Sequence, residues 1–523
     1  MSSLLLFLVI TLLLVAVLGL VWRVLDWVWF RPKIIEKKLR ACGFKGNPYR
    51  ILVGDTREMG AMSKQAKERP VDFHVDFGYR VDPFAYHTVN NYGNNCFIWF
   101  GPTPRVIISN PELIRQVLTK MDEFPRLSSD PRSRYLGTGL ITLKGEKWAK
   151  HRRLMTPAFR VEKLKLMLPA FFQSCNEMIS KWEGLVPEEG SFELDVFPHL
   201  QALSSDAISR TAFGSSFLEG KRIFELLKQL AVVTVQLLTQ SIYIPGSRFF
   251  PNKTMRRLQA MDKEVKDSIK GIIKKREELI KAGEPVADDL LGILMQANYK
   301  EIQQNRNNKN VGMSYEDIVK ECKLFYFAGQ ETTSTLLVWT MILLAKHTNW
   351  QERAREEVLQ VFGNKIPEAD ELSQLKIANM ILNESLRLYP PITRQTRAVP
   401  EDITVGGTKL PAGVQLILST MMVHHDHEIW GKDALEFNPE RFSEGISKVT
   451  NNNVSFFPFG WGPRICIGQN FALMEAKIAI AMILQRFSFE LSPSYTHAPS
   501  TVVTLQPQHG AHLILHKLER REV

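Results

Sequence analysis

Ser314 to His347 is a run of 34 residues without proline, and it limits what this 523-residue chain can become more than any other feature. As one helix it is about 51 Å long at 1.5 Å per residue, enough to cross a whole globule. Ser314-x-x-Asp317 opens the run in the pattern of a capping box. At its middle stands Ala328-Gly329-Gln330-Glu331-Thr332-Thr333. Glycine and threonine are poor central helix residues, so this local loss of helix stability needs a reason. Close helix packing through small residues is one reason. The pattern alone does not decide whether packing is the whole reason.

Helical periodicity dominates elsewhere too. Glu352 to Phe362 has apolar positions at helical spacing, and Met261 to Lys281 is a strongly charged helix with many i,i+4 pairs. Cys96 to Phe100, Arg105 to Ile108 and Val414 to Ser419 are the strand-like pieces. Lys300 to Gly312 is Asn-rich and reads as a surface loop. The expectation is a mainly α chain with a minor β-sheet region, one large globule where length alone suggests three or four domains. With 23% charged and 10% aromatic residues the chain is neither disordered nor fibrous. Five cysteines, at 42, 96, 175, 322 and 466, form no CxxC pair and fit a reducing compartment.

Leu4 to Trp22 carries no charge. As a helix it spans about 28 Å, close to the hydrocarbon thickness of a bilayer. It has no basic segment before it and no small-residue cleavage site after it, so a retained anchor is expected and not a removed signal. Trp22, Trp27 and Trp29 suit the headgroup level. Residues 23–50 hold eight Lys and Arg against Asp26 and Glu36, a net +6 out of +11 for the chain. The positive-inside rule then keeps the bulk of the chain cytoplasmic. It also assigns most of the excess charge to membrane lipid and not to nucleic acid. The sequons at Asn252, Asn383 and Asn453 are silent in that orientation.

Phe456 to Gly468 reads Phe-Phe-Pro-Phe-Gly-Trp-Gly-Pro-Arg-Ile-Cys-Ile-Gly, a sharply turned loop ahead of a helical run, Phe471 to Gln485. A cysteine just before a helix has its thiolate favoured by exposed N–H groups. It could be a nucleophile, a metal ligand or a buried hydrophobe, although the loop offers no base for a nucleophile. Phe459-x-x-Gly462-x-Arg464-x-Cys466-x-Gly468 resembles the haem-binding signature of the cytochromes P450, the haem-thiolate monooxygenases. The resemblance implies Cys466 as the iron ligand and haem b as cofactor. A thiolate ligand pushes electron density toward O–O cleavage.

Four further segments resemble that family in its order. The central Ala328–Thr333 stretch is similar to the oxygen-binding groove, which implies an acid–alcohol pair, Glu331 and Thr332, relaying protons. Many members carry Asp where this chain has Glu331. Glu384-x-x-Arg387, followed by Tyr389-Pro390-Pro391, and Pro439-Glu440-Arg441-Phe442 are similar to the family's charged triad, a structural core. Trp148-x-x-x-Arg152 implies a grip on a haem propionate, shared with Arg397 and Arg464; Phe459 and Gly468 complete the implied cofactor contacts. Arginine's planar fork suits a carboxylate.

Lys144, Lys147 and His151 line one face and read either as a solvated basic face or as a docking surface for an acidic flavoprotein. His424-His425-Asp426-His427 resembles a metal cluster, but adjacent histidines rarely converge on one ion. Cys322 reads as packing. The substrate pocket is expected to draw on the loop from Phe124 to Leu143 and on Phe325, Ala328, Ile392, Thr393 and Val503.

The resemblance implies a cytochrome P450 fold behind a single N-terminal transmembrane helix. Residues 1–3 become a lumenal N-terminus, 4–22 a signal anchor, 23–50 a basic juxtamembrane linker and 51–523 the cytosolic haem-binding domain. The juxtamembrane pattern and Phe327–Thr333 resemble the plant microsomal group that includes secologanin synthase and triterpenoid and gibberellin oxidases. The implied activity is oxidation of a bulky apolar small molecule, terpenoid-like, at the endoplasmic reticulum membrane. It uses O2 and electrons from NADPH through cytochrome P450 reductase, with cytochrome b5 as a possible second donor. A haem-thiolate isomerase or dehydratase, a haem sensor or electron carrier, and a Cys466 hydrolase are the rival readings. The intact Glu331–Thr332 pair and the long groove helix argue against the first two.

Overall fold

In the computed structural model the described residues are 2–127, 131–187, 190–215, 217–240, 252–285, 288–304, 311–367 and 370–519. The proline-free run folds as one uninterrupted helix, Tyr315–Lys346. Ser314 is its N-cap, and both halves of the capping box are present. The Asp317 N–H donates to Ser314 Oγ at 3.2 Å, and the Ser314 N–H donates to Asp317 Oδ2 at 3.4 Å. Every residue from Thr333 to Ala345 is buried, so this is a core helix with apolar neighbours all round.

The helix Val196–Phe213 crosses it closely because of Gly329. A Cβ at Gly329 would lie 2.8 Å from Ile208 Cγ1. The small-residue account of the central stretch therefore holds for its glycine, whatever the threonines do. The helices Val161–Glu183, Lys376–Leu388 and Gln469–Arg486 pack against the same core.

Three of the strands follow the sequence reading: Cys96–Phe100, Thr103–Ile108 and Gln415–Ser419. With Arg394–Ala398 they form a four-stranded sheet, in the order Cys96, Thr103, Gln415 and Arg394 by first residue. The Thr103–Ile108 and Gln415–Ser419 strands are parallel, with Arg105 opposite Gln415. A second sheet, Ser191–Asp195, His512–Lys517 and Phe487–Leu491, was not legible. Its strands mix polar and apolar residues on half-exposed faces, so pairing partners far along the chain decide them.

The N-terminal helix Ser2–Leu25 is apolar, and it is exposed from Leu4 to Leu25. It runs through a π-helical turn, Asp26–Phe30, into the helix Arg31–Ala41. Residues expected as a linker are therefore largely built in. Ile35, Leu39, Phe44 and Tyr49 join the core beside the four-stranded sheet. Buried Glu36 pairs with Lys33 and Arg40, each at 3.0 Å. Lys38 pairs with Asp402 and Arg50 with Glu58, so part of the basic charge is held against the protein. Residues 305–310 of the Asn-rich stretch lie outside the described residues, and 300–304 end a helix that starts at Leu290.

Candidate cofactor and active site

Cys466 closes a tight loop. Gly460 and Gly462 have φ of 76° and 70°, and a Cβ on Gly462 would lie 2.8 Å from Leu118 O. Only glycine fits there. The Cys466 N–H donates to Phe459 O at 2.9 Å, and the Ile465 N–H donates to Gly462 O at 3.0 Å. The Gly468 N–H, Arg152 and Arg126 favour the thiolate, but burial outweighs them and pushes the thiol pKa up. The side chain is nevertheless accessible. A group both enclosed by protein and accessible faces an internal hollow.

Three arginines gather at that hollow. Burial drives the Arg397 guanidinium down to about 9, with Arg126 and Arg464 adding repulsion. Arg126 falls to about 10 through burial and Arg464. Among the described residues none of the three has a carboxylate at ion-pairing distance, and Arg464 Nε and Nη1 and Arg126 Nε have no hydrogen-bond partner. Buried cations without anions are costly, so the cluster suits a ligand that brings negative charge. Arg464 lies 4.5 Å over the Trp148 ring and donates from Nη2 to Leu143 O at 2.8 Å. Arg152 Nη1 donates to Ile465 O at 2.8 Å, tying the helix Gly145–Met155 to the cysteine loop. The residues present fit haem b: a thiol for iron, and unneutralised arginines for propionates. Arg126 escaped sequence reasoning because Phe-Pro-Arg carries no spacing signal; only the fold brings it to Arg397 and Arg464.

The central helix is half-accessible over Phe327–Gln330 and again at Thr332, between the buried stretches 321–326 and 333–345. Ile392, Thr393 and Val503 are likewise half-accessible. The Leu505 N–H donates to Pro391 O at 3.0 Å, and Thr504 Oγ1 donates to Glu331 at 3.0 Å. These bonds bring the chain near 391–393, the hairpin of Pro499–Thr501 and Leu505–Pro507, and the central helix together. Phe325 is placed differently. It is buried with its ring 5.9 Å from Phe159, beside the cysteine loop.

Glu331 and Thr332 are neighbours in sequence with separate partners. Glu331 accepts from Thr504 and from Gln506 Nε2, and burial raises its pKa against both donors. Thr332 Oγ1 donates to Ala328 O at 2.7 Å. The helix is uninterrupted here, and its threonine bonds back along its own turn.

The acid–base core is assembled behind the loop. Arg387 makes two bonds of 2.7 Å to Glu384, both fully buried, and donates from Nη1 to His424 O and Ala434 O. Arg441 lies 3.5 Å from Glu384 and pairs with Asp433.

The histidine run does not converge. His424 bonds Arg387 O and the Phe457 N–H, His425 bonds Leu388 O, and His427 bonds Gly431 O. The face of Lys144, Lys147 and His151 loses its histidine, while Lys144 and Lys147 stay exposed. His151 is fully buried against Glu321 at 2.6 Å, and Lys147 pairs with Asp317 at 2.8 Å. An i,i+3,i+7 pattern marks a face but not whether a neighbouring helix covers it.

Comparison with known proteins shows the family and the fold. The family model described as Cytochrome P450 matches residues 83–513. "Cytochrome P450 72A397" of Kalopanax septemlobus is 55% identical over 500 residues, covering 96% of each chain. "7-deoxyloganic acid hydroxylase" and "Secologanin synthase 2" of Catharanthus roseus are 54% and 51% identical, and cover 95% and 97% of this chain and 96% of their own lengths. The solved structure "Retinoic acid bound cyanobacterial CYP120A1" superposes with a TM-score of 0.73 at 24% identity, covering 89% of this chain and 97% of that one.

Proposed function

The chain belongs to the cytochrome P450 family, and on that premise we propose a membrane-anchored monooxygenase that oxidises a bulky apolar, terpenoid-class molecule. Electrons come from NADPH through a reductase, and the site of action is the cytosolic face of the endoplasmic reticulum. One observation carries the reading: the Cys466 thiol is fixed by its own loop backbone and faces a hollow beside three arginines that, among the described residues, have no carboxylate at ion-pairing distance. Bound there, haem supplies dioxygen activation.

The chain's own residues do the rest. Cys466 gives the ligand, with Phe459 and Gly468 in the same loop. Arg126, Arg397 and Arg464, with Trp148 beneath the last and Arg152 on the loop backbone, hold the charged edge. Glu331 keeps its proton more readily than an ordinary carboxyl because it is buried. Thr332 Oγ1 can accept from a water while its proton is bonded to Ala328 O, and exchanging that bond frees it to donate. Apolar side chains around Ala328, Ile392 and Val503 exclude water from the substrate. The exposed apolar helix Ser2–Leu25, with mean hydropathy of 3.3 in its most apolar window, supports the anchor.

A reduced carbon monoxide difference spectrum on membranes tests the haem reading. A thiolate-type Soret band in wild type that is lost in Cys466→Ala is expected; no such band in wild type would sink it. Substrate class is tested by binding spectra against terpenoid acids, alcohols and glycosides. Product formation that proceeds without NADPH or O2 would favour an isomerase instead.

A further inference from the structure

Behind the arginine cluster, a closed circuit of contacts runs through a buried pair that the proposed chemistry does not use. His151, on the Gly145–Met155 helix, is fully buried with Nδ1 2.6 Å from Glu321 Oε1. Glu321, on the central helix, is also fully buried, and its Oε2 accepts the Leu140 N–H at 2.9 Å. The turn there is built around that carboxylate. Gly139 has φ of 67°, and a Cβ on it would fall 2.4 Å from Glu321 Oε2. Three residues on, Leu143 O accepts from Arg464, whose guanidinium lies over Trp148, one helical turn before His151. The circuit thus passes from Glu321 to Leu140, Leu143, Arg464, Trp148 and His151, and back to Glu321.

We infer that His151 and Glu321 are positioning residues that set where Arg464 and Trp148 stand, and so how firmly the cofactor's anionic edge is held. The physical reason is over-determination. Among the described residues Arg464 makes one hydrogen bond, so beyond it and the Trp148 ring no polar partner fixes Nε and Nη1. A short bond between two fully buried side chains fixes both arms of the circuit at once, and buried charge-assisted bonds are strong and directional. His151 Nε2 makes no hydrogen bond and lies 3.9 Å from Asp317 Oδ2, so the Nδ1 bond is the ring's one short polar contact among the described residues. This inference rests on haem being the ligand.

The test is transfer of haem from the purified full-length holoprotein to apomyoglobin. His151→Leu and Glu321→Gln should release haem about tenfold faster than wild type, the scale of one lost charge-assisted bond. His151→Asn, which can still donate to Glu321, should recover most of the retention. Combining Glu321→Gln with Arg464→Ala should add little to Arg464→Ala alone, because the pair acts through the arginine. Lys147→Ala removes only the outer ion pair to Asp317 and should release haem at the wild-type rate. Wild-type release from Glu321→Gln, or full additivity with Arg464→Ala, would overturn the inference. Glu321→Gln preserves side-chain volume, so it serves if His151→Leu fails to accumulate. A wild type that takes up no haem would instead refute the cofactor reading, a separate outcome.

Discussion

His424 Nε2 accepts the backbone N–H of Phe457 at 3.1 Å, joining the buried Glu384–Arg387 core to the loop that carries Cys466. Its Nδ1 bonds Arg387 O at 3.1 Å, so one neutral tautomer serves both ends, and burial holds the ring's pKa well below the ordinary histidine value. His424→Phe should leave a buried donor and a buried acceptor unpaired, costing about 2–4 kcal/mol. Urea unfolding would read the loss. The thiolate-type carbon monoxide band should also weaken, since the loop loses an anchor two residues before Phe459.

Glu475 predicts a pH effect. It is buried in the helix after Cys466, neither carboxyl oxygen has a well-aligned partner, and burial pushes its pKa up to about 8. The unfolded chain ionises this group near 4.5. Between those values the folded state holds a proton that the unfolded state has lost, so stability falls as pH rises from 4.5 to 8. Glu475→Gln should therefore be more stable than wild type by about 3 kcal/mol at pH 7 and nearly equal to it near pH 4.5. Denaturation midpoints at the two pH values decide it, and an equal difference at both would refute the assignment.

Arg126 should separate ligand binding from folding. Arg126→Leu removes a buried cation that Arg464 repels, so the haem-free protein should be at least as stable as wild type. The same variant should bind haem about tenfold or more weakly, because one partner of the anionic edge is gone. Thermal melts of the haem-free form and haem titration measure the two effects independently.

Gly329 reports on packing. Gly329→Ala places a methyl against Ile208 and should cost about 1–3 kcal/mol through overpacking. Ile208→Ala in the same chain should return much of that loss. Failure of the second change to compensate would place the strain elsewhere.

Thr332→Ala tests the relay. It should leave haem binding intact but uncouple NADPH consumption from product, read as hydrogen peroxide released per NADPH. Tight coupling in that variant would remove the role given to Thr332.

Much of this molecule follows from local sequence. The uninterrupted helix and its capping box, the apolar N-terminal helix, the tight Gly-Pro loop and the Glu384–Arg387 spacing were all legible, because each depends on residues within a few turns of one another. Tertiary structure decided the rest. Whether His151 looks outward depended on Glu321 of the central helix lying against it; whether 23–50 is a linker throughout depended on a sheet for Ile35, Leu39 and Tyr49 to bury against. Arg126 joins Arg397 and Arg464, more than 250 residues away in sequence, only because the chain returns there. Local propensity is written residue by residue, whereas burial and charge neighbourhood belong to whatever the fold packs alongside.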